Sequence, residues 1–183
     1  MISQSDLINQ LSATLGKKKV LELTRILREQ QFALRDLIDL VFQHDRDIAF
    51  RAAWILENLF LQNPAMYMAD LEYLVSKVPE VKHPSCQRHY AKILMHITAK
   101  KSPFIILQKL EQLNLEPVAE KCFDWMIDPK VKVAVKVFAS ETLFNLSRRY
   151  TWIADELAAQ IKFLMRDGTA GIQSRGRKIL AQL

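Results

Sequence analysis

Four segments of the chain share one spacing of apolar positions. They are IAFRAAWILENL (48–59), CQRHYAKILMHI (86–97), VKVFASETLFNL (135–146) and IQSRGRKILAQL (172–183). When they are aligned on their last residue, the positions eleven, seven, four and three earlier are mostly apolar or small. This spacing places those side chains on one side of an α-helix. The pattern therefore predicts four helices that each bury one stripe.

Another amphipathic stretch precedes each segment, so the repeating unit is a helical hairpin. These first helices are expected over 34–42, 66–78, 118–126 and 152–165. The four segments end at residues 59, 97, 146 and 183, so their spacings are 38, 49 and 37 residues. An extra helix over 103–113 accounts for the long interval. Small residues seven positions before the end of three segments predict a close approach of neighbouring helices.

Capping residues predict the helix ends. Ser3 and Asp6 have the spacing of a capping box that opens a helix through Leu7, Leu11 and Leu15, which Gly16 closes. A second helix is expected over 17–30, and Gly168 is expected to cap the end of a later one.

The stretch VKVAVKVF (131–138) alternates as a β-strand does. Its fit to the repeat favours a helix.

This repeat resembles the HEAT and armadillo-like α-solenoids. The resemblance implies an all-α, right-handed α-α superhelix of about four hairpins (32–183) behind an N-terminal helical cap (1–31), in a single domain over 1–183. HEAT repeats place Asp in the turn and Arg or Lys in the second helix. The matching residues are Asp45, Asp47 and Arg51 in the first unit, Asp128 with Lys132 or Lys136 in the third, and only Arg88 and Arg175 in the other two.

Composition supports long helices and gives a hint about the partner. Only 4 glycines and 6 prolines are present, too few for a protein of many short strands. The first residues do not resemble a signal peptide, and no apolar run is long enough to span a membrane. Two cysteines without a CxxC motif predict free thiols in the cytoplasm, and we expect a bacterial protein. The formal charge of +6 permits an acidic partner.

No catalytic motif is present, so neither an enzyme nor a cofactor is expected. His83, Cys86 and His89 could suggest a metal site, but on a helix the third side chain points about 240° away from the first. We expect no metal, and instead a buried cysteine beside a surface histidine.

Two resemblances to enzymes leave alternatives open. Asp124 beside Trp125 is similar to the Asp and aromatic residues of HEAT-like DNA alkylation repair glycosylases. The stretch VAVKVFASETLFNL resembles short bacterial HEAT-like proteins that carry an adenylosuccinate lyase label. Members of that lyase superfamily have a much longer chain and contain an SSxMPxKxN loop. This sequence is shorter and lacks the loop.

The residues opposite the apolar stripes are the expected binding surface. Second helices of solenoids usually line the concave side, so these residues would form one groove. The expected partner-binding residues are Phe50, Trp54, Arg88, Lys92, Met95, Glu141, Phe144 and Lys178. Aromatic, Met and Arg side chains are typical of protein interfaces, and a protein partner is the leading hypothesis.

Basic clusters keep nucleic-acid binding open as the alternative. They are Lys17–Lys19, Lys100-Lys101, Lys130/Lys132/Lys136, Arg148-Arg149 and Arg175/Arg177/Lys178. A phosphate track requires such cations on one side of the molecule. The sequence leaves the oligomeric state open, and also whether Trp54 and Phe144 are exposed or core.

Overall fold

A computed structural model describes residues 3–13 and 16–183. These residues form eleven α-helices and contain no strand, which confirms the predicted fold class. The helices are α1 (Gln4–Ser12), α2 (Lys17–Glu29), α3 (Leu34–Leu40), α4 (Arg46–Gln62), α5 (Leu71–Ser76), α6 (Pro84–Thr98), α7 (Phe104–Glu111), α8 (Glu116–Ile127), α9 (Val133–Leu146), α10 (Trp152–Met165) and α11 (Ala170–Leu180). The four repeated segments correspond to α4, α6, α9 and α11.

The predicted apolar stripes are the buried sides of these four helices. Every stripe position of the first three segments is less than a tenth exposed, including Thr142. In the fourth segment Ile172, Gly176 and Ile179 are buried. Leu183 is 44% exposed. It departs from the pattern because α11 ends at Leu180, before the last turn of the predicted helix.

The chain forms two compact units, Met1–Tyr90 and Ala91–Leu183. In the first, α1, α2 and α3 all pack against α4. In the second, α8, α10 and α11 pack against α9. Helix α6 begins in one unit and ends in the other.

Helix α9 confirms that the alternating stretch is helical from Val133 onward, whereas Val131 and Lys132 precede the helix. Burial along this helix explains the misleading pattern, because polar Lys136 and Ser140 are buried whereas Val133 is 38% exposed. The apolar residues of α9 therefore do not mark its buried side. The extra helix expected over 103–113 is α7.

The first helix of the second hairpin is not the continuous helix predicted over 66–78. A 3₁₀ helix spans Pro64–Asp70, α5 follows, and a second 3₁₀ helix spans Val78–Glu80. The backbone of Tyr67 is non-helical, with φ −109° and ψ 26°. Tyr67 is buried, with its ring centroid 6.2 Å from that of Phe60. Each 3₁₀ helix has a proline in its first turn, where the missing N–H costs no helical hydrogen bond.

The predicted cap at the start of the chain is present, but both glycines act differently from the prediction. Ser3 and Asp6 form the capping box of α1. Helix α1 ends at Ser12, and Leu15 lies outside the described residues. Gly16 is extended, with φ −86°, and begins α2. Gly168 also has a negative φ. A Cβ at Gly168 would lie 2.5 Å from the Leu164 carbonyl oxygen, so close packing rather than a left-handed cap requires this glycine.

Candidate partner-binding surface

Polar side chains connect the second helices to one another, each within its own unit. In the first unit, Nδ1 of His89 on α6 lies 2.7 Å from Oε2 of Glu57 on α4. In the second unit, Asn145 on α9 donates a hydrogen bond to Thr98 on α6, at 3.1 Å. Arg175 on α11 forms an ion pair with Glu141 on α9. These contacts fix the spacing and rotation of neighbouring second helices.

An aromatic cluster lies over the first of these contacts. The rings of Phe50 and Trp54, one turn apart on α4, are stacked with centroids 5.9 Å apart. The His89 ring lies 5.6 Å from Phe50 and 6.4 Å from Trp54. Both aromatic residues are half-buried, which places Trp54 between the two alternatives that the sequence left open. Glu57 lies opposite the apolar stripe of α4, where the repeat predicts exposure, but it is buried against His89.

Arg88 completes the predicted set in the first unit. It precedes His89 on α6 and is exposed, as expected. The first unit therefore brings together a half-buried aromatic pair and a buried polar pair, with a cation exposed on the adjoining helix.

The other predicted binding residues belong to the second unit. Lys92, Met95, Glu141 and Phe144 are half-buried, and Lys178 is exposed. Glu141 is already paired with Arg175. Phe144 lines a cavity of about 410 Å³ whose wall also includes Arg148 and Leu183. That the residues of both units form one row stays a prediction.

Hydrogen-bond donors near the start of three second helices were not predicted from the sequence. The donors occupy the same repeat position, ten residues before the end of each segment. Gln87 donates to the Lys82 carbonyl at 3.4 Å and Lys136 to the Met126 carbonyl at 2.9 Å. Gln173 donates to the Met165 carbonyl. They satisfy carbonyls that a helix end or loop leaves unpaired. Their shared position in the repeat was the signal that could have identified them from the sequence.

The residues that matched the HEAT turn pattern have structural roles in the first hairpin. The Asp45 carboxylate accepts hydrogen bonds from the amides of Asp47 and Ile48, at 2.8 and 3.1 Å, and so caps α4. Arg51 donates to the Leu11 carbonyl at the end of α1, at 2.6 Å. It also pairs with Asp47, at 3.2 Å. The turn aspartate and the helix arginine thus fix where α4 begins and where α1 packs.

Several cations of the basic clusters already have partners within the fold or are buried. Lys136 is buried, and this burial lowers the pKa of its ammonium group. Arg149 donates to the carbonyls of Leu110 and Leu113, both at 2.8 Å. Arg175 binds Glu141. The exposed cations that remain in these clusters include Lys100, Lys101, Arg148, Arg177 and Lys178.

The cysteines are buried and poorly suited to nucleophilic chemistry. Burial raises the pKa of the Cys86 thiol to about 12 and also raises the pKa of Cys122, so both are protonated at neutral pH. Cys86 Sγ lies 3.5 Å from Nδ1 of His83, which is half-buried. His89 is buried against Glu57, so no histidine of this group lies fully on the surface. Within residues 3–13 and 16–183, no three His, Cys, Asp or Glu side chains are grouped to bind a metal.

Asp124 and Trp125 do not form a polar pocket together. Asp124 is exposed on α8, whereas Trp125 is only 2% exposed. The indole N–H of Trp125 is buried and has no hydrogen-bond partner among the described residues, which is an exception to the usual pairing of buried polar groups. Trp125 is therefore not available to stack against a base.

None of the helices in the described part of the chain is both long and apolar enough to cross a membrane.

A family model described as a HEAT repeat domain matches residues 7–183. The match confirms the resemblance seen in the repeat and also includes the helices before residue 32. No curated protein and no solved structure gives a significant match.

Proposed function

Because the chain belongs to the HEAT repeat family, we propose that it is a non-enzymatic scaffold that binds a protein partner through its second helices. The surface is the predicted set of Phe50, Trp54, Arg88, Lys92, Met95, Glu141, Phe144 and Lys178. Two free, buried cysteines fit a reducing compartment, and we propose a cytoplasmic location.

The aromatic pair of Phe50 and Trp54 is the observation that carries this proposal. Half-buried aromatic rings retain apolar area that a partner can cover, and they lose little side-chain entropy because neighbours already restrict them. The buried contact of His89 with Glu57 supports the rings from behind. An exposed arginine on the adjoining helix adds a charged donor, and aromatic and Arg side chains dominate binding energy at interfaces.

Parallel affinity capture tests the surface. The bait proteins are the wild-type chain, a Trp54→Ala/Arg88→Ala variant and a control variant, Trp152→Ala/Arg25→Ala. The control removes the same residue types from helices outside the proposed surface, and Trp152 and Arg25 are both exposed. Circular dichroism first verifies that all three baits are helical and unfold cooperatively.

We expect a partner that the wild-type and control chains retain and that binds the Trp54→Ala/Arg88→Ala chain at least about tenfold more weakly once purified. Equal binding to all three baits would place the interface elsewhere. The absence of any partner specific to the wild-type chain would contradict the scaffold function.

Nucleic-acid binding is the alternative, and the exposed cations of the basic clusters favour it. Fluorescence anisotropy with labelled single- and double-stranded DNA and RNA over a salt series decides between the two. Binding that falls steeply with salt is the signature of phosphate contacts and would replace our proposal. Weak binding without that slope would exclude the nucleic-acid alternative and leave the protein partner as the proposal.

A further inference from the structure

The inserted helix α7 creates a cavity in the second unit. It lies in the 49-residue interval between the second and third repeat segments, where the other intervals are 38 and 37 residues. The cavity has a volume of about 350 Å³ and lies between the ends of α6 and α9 and the side of α7. Its volume is within the range of small-ligand sites.

The floor of the cavity is apolar. Leu110, Leu115 and Leu146 are each at most 5% exposed, and half-buried Leu107 forms one wall. Leucine side chains offer no hydrogen bond to water, so an aliphatic group gains by replacing water there.

Polar groups in the wall are held by the protein itself. Asn145 donates to Thr98, and the Thr98 hydroxyl donates to the Leu94 carbonyl at 2.8 Å. Arg149 donates to the carbonyls of Leu110 within α7 and of Leu113 just after it, and its guanidinium lies 5.0 Å from the centroid of the Tyr150 ring. These contacts make the wall rigid but leave few polar groups for a ligand.

Two cations at the rim remain for a ligand. Lys100 and Arg148 are exposed and line the cavity, and among the described residues neither forms an ion pair. Glu111 is the single carboxylate in the lining, so with Arg149 the rim carries an excess of positive charge. An apolar floor beneath two available cations is complementary to an aliphatic chain that ends in a carboxylate.

We propose that this cavity binds an aliphatic carboxylate. The chain inserts between Leu107, Leu110 and Leu146, and the carboxylate pairs with Lys100 and Arg148. The same chemistry is found in a free fatty carboxylate and in an aliphatic residue at the C-terminus of a polypeptide. The site is distinct from the proposed binding surface on the second helices and does not depend on it.

Titration with sodium octanoate, followed by ¹H–¹⁵N NMR and calorimetry, tests the site. We expect saturable binding with shifts centred on Thr98, Leu107, Leu115 and Leu146. A Lys100→Gln/Arg148→Gln variant should bind octanoate about tenfold more weakly. The matched control, Lys162→Gln/Arg177→Gln, removes two exposed cations of α10 and α11 and should bind as the wild type does.

Three further ligands separate the contribution of the aliphatic chain from that of the carboxylate, and a polypeptide source from a free fatty acid. Octan-1-ol lacks the charge and should bind the wild type and the Lys100→Gln/Arg148→Gln variant equally. An N-acetylated dipeptide ending in Leu, compared with its C-terminal amide, tests the polypeptide source against the free fatty acid. Octanoate binding that is unsaturable, or unchanged in the Lys100→Gln/Arg148→Gln variant, would overturn the proposal. Shifts centred away from the cavity would overturn it as well.

Discussion

The imidazole of His89 and the carboxylate of Glu57 form a buried contact that connects α6 to α4. Nδ1 lies 2.7 Å from Oε2, and the residues are only 6% and 8% exposed. The rings of Phe50 and Trp54 lie over the imidazole on the side of the proposed binding surface. The geometry of that surface therefore depends on a polar contact in the interior of the first unit.

Alanine at either residue of this pair should lower the free energy of unfolding by about 2 kcal/mol, because the remaining partner loses a buried hydrogen bond. The Glu57→Ala/His89→Ala variant should lose less free energy of unfolding than the two single variants lose together, and the coupling energy should be about 1 kcal/mol or more. Urea denaturation measures all four proteins. The control cycle uses Arg25 and Glu29, an ion pair whose side chains are 57% and 55% exposed, and should give a coupling below about 0.5 kcal/mol. Equal couplings in the two cycles would contradict the importance of burial.

Gly176 allows α11 to approach α10 closely, and alanine at this position should destabilise the protein. A Cβ there would lie 2.5 Å from Met165 Sδ and 2.9 Å from Ile161 Cγ2. The Met side chain can move, but the branched Ile cannot easily do so, and we expect a loss of about 1–2 kcal/mol.

Gly171 is the matched control on the same helix. Its Cβ would meet nothing closer than 3.8 Å, so Gly171→Ala should stabilise the helix by up to about 1 kcal/mol. Thermal unfolding of both variants measures the difference. A stabilising Gly176→Ala would mean that the two helices separate at little cost.

The apolar repeat predicted the fold because burial of one stripe per helix decides where each second helix packs. Ala52, Ala139 and Gly176 are buried, as their size and register predict, and Gly176 also lies in close contact with α10. The same reasoning failed for residues 66–78, where the proline at each end and buried Tyr67 favour 3₁₀ geometry over a continuous helix.

The polar part of the candidate site was less predictable. Glu57 falls on the side opposite the stripe, so the repeat predicts exposure, yet a histidine from the next second helix covers it. That pairing depends on the rotation of α6 against α4, which a periodic pattern does not fix. Whether Phe50 and Trp54 are partly covered depends on the same neighbour.

Lys136 should make stability depend on pH. Burial lowers its pKa below the ordinary value of 10.5, although Asp128 opposes the shift. Between the lowered pKa and 10.5 the unfolded chain binds more protons than the folded one, so the contribution of Lys136 to stability increases as pH rises. We expect the wild type to gain stability relative to Lys136→Met between about pH 7 and about pH 10.

The control for Lys136 is Lys132→Met, at the exposed position before α9. Urea unfolding across this pH range gives the free energy of unfolding of the wild type and of both variants. The difference between the wild type and Lys132→Met should stay nearly constant. A constant Lys136 difference would show that the pKa of its ammonium group is the same in the folded protein and in the unfolded chain.

We expect the chain to unfold as the single domain that the repeat predicts. Helix α6 runs without a break through the division between the two units, and its residues on either side, Tyr90 and Ile93, are both fully buried. Because helix formation is cooperative, loss of packing on one half of α6 should weaken the other half.

Single-tryptophan variants test this coupling. Trp125→Phe/Trp152→Phe leaves Trp54 as the reporter of the first unit, and Trp54→Phe/Trp152→Phe leaves Trp125 as the reporter of the second. In each variant we compare the urea midpoint from fluorescence with that from circular dichroism, which measures all helices, so that any change in overall stability cancels. Coincident midpoints in both variants support one cooperative domain. If the Trp54 signal changes before the helical signal and the Trp125 signal changes after it, the two units unfold separately and the single-domain prediction is wrong.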